Sequence, residues 1–193
     1  GTANAIIQTG LEGIKLPTDG VGLNIDDQVA ISKAITGAYL SSEGNAFSSR
    51  TASQIVQENF NPGEINQPSG PLFGVQFSQF SCSDFTVDSD TIGNGPKRSP
   101  LGLSADPGGL PLYKNGTLVG GIGVIADGVY SLDKLILDDD RNADEMIAYA
   151  GTFNYAAPID RRADRITVEG KTFRFSDVKF EDLTSNPEDA EAF

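Results

Sequence analysis

Two apolar runs that pivot on Asn115-Gly116 dominate the pattern of hydrophobic and polar positions. Residues 108–124 read Gly-Gly-Leu-Pro-Leu-Tyr-Lys-Asn-Gly-Thr-Leu-Val-Gly-Gly-Ile-Gly-Val. Both central residues of a type I′ turn need positive φ, which Asn and Gly tolerate, so this pattern predicts a β-hairpin. Glycines at 120, 121 and 123 are typical of a strand that a helix, another backbone or a ligand approaches closely.

Three stretches repeat apolar residues at helical spacing. The first helix is predicted over about 26–40, where an aspartate can cap its start. The second begins near Ser48 or Ser49, whose hydroxyls can cap it, and stops before Asn-Pro-Gly at 61–63. The third is predicted over 139–150, with Asp138–Asp140 favouring the positive end of its dipole and Gly151 ending it. A metal cluster is the alternative interpretation of the three aspartates.

The remaining pattern predicts further β-structure separated by loops. Residues 71–80 alternate as a strand does, and residues 166–175 predict a second hairpin with an apolar face. The first 25 residues contain short β-like runs that suit an edge strand, and the acidic end at 184–193 is expected to fray. Residues 83–107 form a long irregular excursion, and loops of this length often contact a ligand or partner.

Asp88 and Asp90 in that excursion are the metal-binding candidates, because Asp-Ser-Asp begins like a calcium loop. The match then fails, since position five is Ile92 and position twelve is Ser99 in place of an acid.

The amino-acid composition excludes several kinds of partner and catalytic site. The formal charge of −13 repels phosphate backbones and anionic lipids, so no nucleic-acid partner is predicted. No run reaches the roughly 18 to 20 apolar residues of a membrane helix, so no membrane insertion is predicted. A single cysteine, Cys82, excludes an internal disulfide and Cys-rich metal clusters. The absence of histidine excludes Ser-His-Asp and Cys-His catalysis and imidazole ligands to zinc or haem.

Without histidine and with a single cysteine, carboxylates are the main side chains that remain for catalysis. Asp106, Asp127 and Asp133 lie near the ends of the predicted hairpin, and a like-charge pair among them would raise one pKa enough for acid–base work. The pair meant is Asp106 with Asp127, which could lie together if they flank the same edge of the sheet. Aspartates at strand ends are more often turn formers. A carboxylate-based enzyme is therefore the third functional interpretation, behind the two non-catalytic ones given below. A non-catalytic function is favoured.

Several stretches together carry a family resemblance. They are Asp-Gln-Val-Ala-Ile-Ser-Lys-Ala at 27–34, Ser-Arg-Thr-Ala at 49–52, Gly-Pro-Leu at 70–72, and the Gly-Gly-Leu-Pro hairpin from 108 to 124. In this order they resemble the GlcG/HbpS-like family of haem-degrading and haem-binding domains (DUF336), over roughly residues 26–150. The hairpin is the most specific part of the resemblance.

The resemblance implies an α/β (α+β) fold with an antiparallel sheet of about five strands flanked by helices. It divides the chain into an N-terminal edge segment (1–25), the GlcG/HbpS-like domain (26–151), and a C-terminal hairpin extension with an acidic tail (152–193). Such proteins assemble into dimers and rings, and some bind haem. The chain is similar to the longer, exported members, which favours a periplasmic or extracellular location over a cytoplasmic one.

Two departures from the family affect these expectations. Only about 25 residues precede the first predicted helix, where the family has about 50, so a homo-oligomer partner or another chain is expected to supply strands unless residues 1–25 and the tail hairpin substitute. The chain also has no histidine to ligate haem. Cys82, Met146 and tyrosines such as Tyr113 remain as ligands, although each is also explained as a structural residue.

The leading functional prediction is a non-catalytic module that binds haem or another small ligand. The pocket is expected between the glycine-rich strand and the first helices, lined by Arg50, Tyr113, Gly120 and Gly121. Arg50 would face an acidic ligand, although an ordinary ion pair also explains it. The alternative is an assembly subunit whose sheet is completed by a neighbouring chain through strand addition.

Overall fold

A computed structural model of the chain describes residues 25–73 and 103–185. Within them it is a mixed α+β structure with three α-helices and two small antiparallel sheets of two strands each. The predicted sheet of about five strands is not seen in this part of the chain. Most of the strand predicted at 71–80, the edge segment at 1–24, and the metal candidates Asp88 and Asp90 lie outside the described residues.

Helix α1 spans Ile25–Leu40 and helix α2 spans Ser49–Ile55, close to the predicted starts. A capping box begins α2. The Ser48 hydroxyl accepts the Thr51 backbone N–H at 3.2 Å, and the Thr51 hydroxyl accepts the Ser48 backbone N–H at 3.0 Å. This reciprocal pair satisfies two backbone donors and fixes where the short helix begins.

Helix α3 spans Ala143–Gly151, so it begins about four residues later than predicted. Its cap is Asn142, whose side-chain oxygen accepts the Glu145 backbone N–H at 3.0 Å. The prediction that Asp138–Asp140 cap this helix is therefore wrong, because a neutral amide closer to the first turn does so. Gly151 is the last helical residue, and Thr152 takes the C-cap position.

The predicted central hairpin is confirmed. Strand β1 (Gly109–Lys114) pairs antiparallel with β2 (Thr117–Gly123). Asn115 and Gly116 form the turn, with φ of 51° and 82°. Leu112 pairs with Gly120 and Tyr113 with Leu118, so Val119 is an extra, bulged residue on β2.

Helix α1 packs directly on one face of this hairpin. A Cβ added to Gly121 would collide with the Ala34 carbonyl, and one added to Gly123 with the Ala30 carbonyl. On the helix side, a Cβ on Gly37 would lie 2.7 Å from the Leu110 carbonyl carbon. Glycines on both elements thus let helix and sheet backbones meet.

The C-terminal residues fold back onto the first helices. Strands β3 (Thr167–Val168) and β4 (Lys171–Thr172) form the second hairpin, shorter than predicted, around the residue pair 169–170. Ala46 forms a parallel bridge with Arg162. Three short 3-10 turns complete this region, at Ile159–Arg161, Ala163–Arg165 and Phe180–Asp182.

Two apolar clusters form the interior of the described part. The larger joins the hairpin to α3 and the C-terminal segment through residues that include Leu110, Tyr113, Tyr149 and Phe175. The smaller lies around α2, and Phe173 packs against both clusters. None of the described helices has the length and apolar character needed to span a bilayer.

Candidate functional site: two buried ionic centres on helix α3

The first turn of α3 places two consecutive acidic side chains, Asp144 and Glu145, in the interior, each only 1% exposed. Neighbouring helical residues project about 100° apart, so the two carboxylates reach different partners. Asp144 pairs with Lys33 of α1, and Glu145 pairs with Arg50 of α2. Each pair is the start of a larger ionic centre.

The Lys33 centre consists of Lys33, Asp106 and Asp144, all at most 1% exposed. The Lys33 ammonium donates to Asp144 Oδ2 at 2.6 Å and to the Val124 carbonyl at 2.6 Å. Asp144 Oδ1 accepts the Ala126 backbone N–H at 2.6 Å. Asp144 is thus held from two sides, and it ties α3 to both α1 and the end of β2.

Asp106 completes the Lys33 centre in a different way. Its Oδ2 lies 2.5 Å from Lys33 Nζ, but this oxygen has no partner with hydrogen-bond geometry among the described residues. Its Oδ1 accepts the Ser131 backbone N–H at 3.0 Å. Burial raises the pKa of Asp106 above its usual value, and Lys33 and the Ser131 hydrogen bond only partly oppose this. The protonated form is therefore favoured more than in an exposed aspartate.

The Arg50 centre consists of Arg50, Asp133, Glu145, Arg174 and Asp177. Arg50 Nε donates to both carboxylate oxygens of Glu145, at 2.8 and 2.9 Å. Its Nη1 lies 2.7 Å from Asp133 Oδ2 and 3.0 Å from Asp177 Oδ2. Burial would lower the pKa of Arg50, but these three carboxylates raise it overall, so the guanidinium stays charged.

Arg174 supplies the second cation of this centre. Its Nη2 lies 2.5 Å from Asp133 Oδ2 and 2.6 Å from Asp177 Oδ2, so two guanidiniums share the same two carboxylates. Because Arg174 and Asp177 come from the C-terminal segment, the centre fastens that segment to α2 and α3. A charge network of this kind orients its members more strongly than a single surface pair would.

Two carboxylates of the Arg50 centre, Asp133 and Glu145, have pKa values shifted in opposite directions. Burial alone would raise the pKa of Asp133, but hydrogen bonding and attraction from Arg174, with attraction from Arg50, lower it overall. Burial raises the pKa of Glu145 despite its bond to Arg50. The two pKa shifts differ in direction because the Glu145 side chain is more deeply buried than that of Asp133.

Asp140 lies at the edge of the Arg50 centre. Together with Asp133 and Asp177 it forms the one acidic group among the described residues that could hold a metal ion. Carboxylate oxygens of Asp133, Asp140 and Asp177 lie within 4.8 Å of one another. Burial and repulsion from neighbouring aspartates raise the pKa of Asp140. Arg50 and Arg174 already contact two of the three carboxylates at 2.5 to 3.0 Å, so the arrangement favours an ion-pair network over a cation site.

Two guanidinium nitrogens of this centre have no hydrogen-bond partner in the part of the chain that the structure describes. Arg50 Nη2 and Arg174 Nη1 are buried and make no hydrogen bond within residues 25–73 and 103–185. A buried N–H without an acceptor costs free energy, so an oxygen placed beside either group would gain a strong, charge-assisted hydrogen bond. These two nitrogens are the features of the centre that can recognise a ligand.

The four ligand-binding residues predicted from the sequence have different environments and do not line a common pocket. Arg50 is at the heart of its centre, whereas the Tyr113 hydroxyl donates to the Ser42 carbonyl at 2.5 Å. Gly121 lies against α1, so the helix itself fills the space where a pocket was predicted. Gly120 faces the opposite side of the sheet, where an added Cβ would meet nothing within 4 Å.

The side chains of the three aspartates proposed for catalysis have different partners. Asp127 is exposed and its Oδ1 accepts the Val129 backbone N–H at 2.8 Å, as a turn-forming aspartate does. Asp106 instead shares Lys33 with Asp144, and Asp133 is paired with the two arginines.

Sequence reasoning missed five site residues: Lys33, Asp144, Glu145, Arg174 and Asp177. One signal was available for Lys33, since it interrupts a stripe of small and apolar residues that faces the sheet. A lysine on such a stripe must find buried acids. The comparisons add no relatives, because no protein-family model, curated protein or solved structure matches this chain.

Proposed function

We propose that this protein is a non-catalytic binding module of the GlcG/HbpS-like type that takes a small ligand at the Arg50 centre. The observation that supports this most is that two buried nitrogens of one network, Arg50 Nη2 and Arg174 Nη1, have no hydrogen-bond partner among the described residues. From the family resemblance, we propose that the ligand is haem or another small molecule.

The charges of the centre restrict the ligand further. Three carboxylates face two guanidiniums, and Asp140 adds a fourth at the edge. A strongly anionic group would be repelled, so a hydroxyl or carbonyl oxygen is the best acceptor for the free N–H groups. A ligand with one such oxygen would satisfy the centre without adding charge.

Titration with defined probes tests this proposal. Hemin, 1,2-propanediol and glycolate would be titrated into the full chain, with the Soret band of hemin and the heat of binding as readouts. Of the three probes, 1,2-propanediol is uncharged and should bind most tightly, because hemin and glycolate carry carboxylates. We expect its saturable binding to weaken about tenfold or more in Arg174→Lys, which keeps the charge but loses the planar fork. Arg141→Lys, on an exposed arginine, is the matched control and should bind as wild type does.

Absence of saturable binding for all three probes, or equal binding by wild type and Arg174→Lys, would contradict the proposal. Circular dichroism of both variants separates loss of the site from loss of the fold.

A second candidate is an assembly subunit. Strand β2 pairs only with β1 among the described residues, and an isolated two-stranded sheet is marginally stable in water. Bulged Val119 on β2 is 54% exposed, and Tyr39 at the end of α1 is 50% exposed. These features support a sheet that reaches about five strands with help from a neighbouring chain. The location proposed for this oligomer, periplasmic or extracellular, rests on the family resemblance alone.

Light scattering coupled to size-exclusion chromatography tests the assembly role. We expect a mass of two or more chains at micromolar concentration, reduced by Val119→Lys because a charge on an apolar contact opposes association. A monodisperse monomer would rule out the assembly role.

A further inference from the structure

The Lys33 centre holds an amine, a carboxyl group and a second carboxylate together away from water. Lys33 Nζ approaches Asp106 Oδ2 to 2.5 Å without hydrogen-bond geometry, whereas it makes a regular hydrogen bond to Asp144 Oδ2 at 2.6 Å. We propose that Lys33 and Asp106 become joined by an intramolecular isopeptide bond, and that Asp144 transfers the proton in the reaction. This inference is independent of the ligand proposed for the Arg50 centre.

Proximity is the first requirement for such a bond, and the packing supplies it. The Asp106 carboxyl carbon is one bond from Oδ2, which brings Lys33 Nζ near the distance of about 3 to 3.5 Å from which a nucleophile attacks. The two elements cannot separate easily, because Gly109 packs so closely on α1 that an added Cβ would lie 2.6 Å from the Lys33 carbonyl oxygen. Reactants fixed in this way react as if at very high concentration.

Suitable protonation is the second requirement. The reaction needs an uncharged amine and a protonated acid, and transfer of one proton from Lys33 to Asp106 produces both. A low-dielectric interior penalises both charges of an ion pair, so the burial of these two side chains lowers the cost of this transfer. The pKa of Asp106 is raised by its burial, in agreement with this requirement.

Asp144 is placed to move the remaining proton. Lys33 Nζ attacks the Asp106 carboxyl carbon and a C–N bond forms. Asp144 accepts one proton from the attacking nitrogen and passes it to the Asp106 hydroxyl, whose C–O bond breaks. The oxygen leaves as water, the product is a neutral amide, and Asp144 is again a carboxylate. No oxidant, reductant or cofactor takes part.

The bond would fasten α1 to the segment that leads into β1. A cross-link between residues so far apart in sequence restricts the unfolded chain, as a disulfide does. The chain has one cysteine and so no disulfide of its own. An amide serves the same purpose and is not broken by reductants.

Intact mass under denaturing conditions tests the proposal on the full chain. We expect the wild-type protein to be lighter than its sequence mass by one water, about 18 Da, with a branched peptide after proteolysis that joins Lys33 to Asp106. Lys33→Arg should have its full sequence mass. Lys114→Arg, on an exposed lysine of the same hairpin, should still lose one water.

Two further variants assign the roles. Asp106→Asn would release ammonia, so its mass should fall by about 17 Da in place of 18. Asp144→Asn keeps both reacting groups and should retain its full mass, with circular dichroism to establish that it folds. A wild-type protein that keeps its full mass after days of incubation would overturn the proposal, whatever the variants do. Cross-linking in folded Asp144→Asn would overturn the role of Asp144.

Discussion

The Lys33 centre and the Arg50 centre are built on adjacent residues of one helical turn, yet they differ in completeness. In the Lys33 centre one cation contacts two acids and a carbonyl, and the one carboxylate oxygen without hydrogen-bond geometry, Asp106 Oδ2, lies 2.5 Å from that cation. In the Arg50 centre two cations meet three acids, and one nitrogen of each guanidinium has no partner among the described residues. A closed centre suits a structural bond, whereas an open one suits recognition.

The two centres also hold different parts of the chain. The Lys33 centre joins α1, the approach to β1 and α3. The Arg50 centre holds the C-terminal segment, whose backbone is further bound by α2: the Thr51 hydroxyl donates to the Arg174 carbonyl at 2.6 Å, and Gln54 Oε1 accepts the Arg174 N–H at 2.7 Å. The C-terminal segment therefore depends on one centre and the hairpin packing on the other.

The largest expected effect comes from removing Arg50. Arg50→Met leaves the buried Glu145 without its cation, and Asp133 and Asp177 with Arg174 alone, so we expect a loss of about 3 to 5 kcal/mol in the free energy of unfolding. Urea denaturation measures it. Arg141→Met is the control, since that arginine is 73% exposed and should change stability by less than about 0.5 kcal/mol. Equal effects of the two changes would contradict a buried centre.

A pair of glycine variants tests the packing that supports the Lys33 centre. Gly121→Ala pushes a methyl group into the α1 backbone, so we expect it to destabilise the protein by about 1 to 3 kcal/mol. Gly120→Ala is the same change one residue away on the open face, where it should be neutral or slightly stabilising. Thermal melting of both proteins is the measurement. Similar melting temperatures of the two variants would mean that α1 does not pack against Gly121.

The pH dependence of stability tests the charges of the Arg50 centre through Asp133. Its pKa is lowered on folding, so its ionised form stabilises the protein above the unfolded pKa of about 3.8, and this contribution is lost as the pH falls through the folded value. At neutral pH, Asp133→Asn should cost about 1.5 kcal/mol. The stability difference from wild type should shrink below about pH 3.8 in urea titrations. A difference that grows on acidification would mean that Asp133 is not paired.

The smallest effect is expected at Tyr113. Tyr113→Phe removes the hydroxyl that donates to the Ser42 carbonyl, so stability should fall by about 1 kcal/mol while the ring stays packed. Tyr155→Phe changes a surface tyrosine of similar size and should alter stability by less than about 0.5 kcal/mol. A Tyr113→Phe protein as stable as wild type would show that the hydrogen bond contributes nothing.

Local patterns predicted the elements better than the site. The Asn115-Gly116 turn and the Ser48 cap depend on neighbouring residues alone, and both are confirmed. The start of α3 was misplaced because three aspartates suited the helix dipole as well as Asn142 did, and only the observed side-chain hydrogen bond decides between them.

The ionic centres depend on contacts between distant residues, which one sequence does not disclose. Lys33 and Asp144 are 111 positions apart, and Arg50 and Glu145 are 95 apart. Asp144 and Glu145 look like ordinary acids of a first helical turn, which usually face solvent. Their burial follows from where α1 and α2 lie, and that arrangement is a property of the tertiary packing.

Amide hydrogen exchange in the two neighbouring variants, Asp144→Asn and Glu145→Gln, tests most directly whether one turn of α3 supports two separate centres. We expect Asp144→Asn to speed exchange at 103–109 and in α1 while 173–178 stays protected. Glu145→Gln should do the reverse, loosening 173–178 and leaving 103–109 as in wild type. If both variants loosened the same residues to the same extent, the two centres would be one cooperative unit and the account would be contradicted.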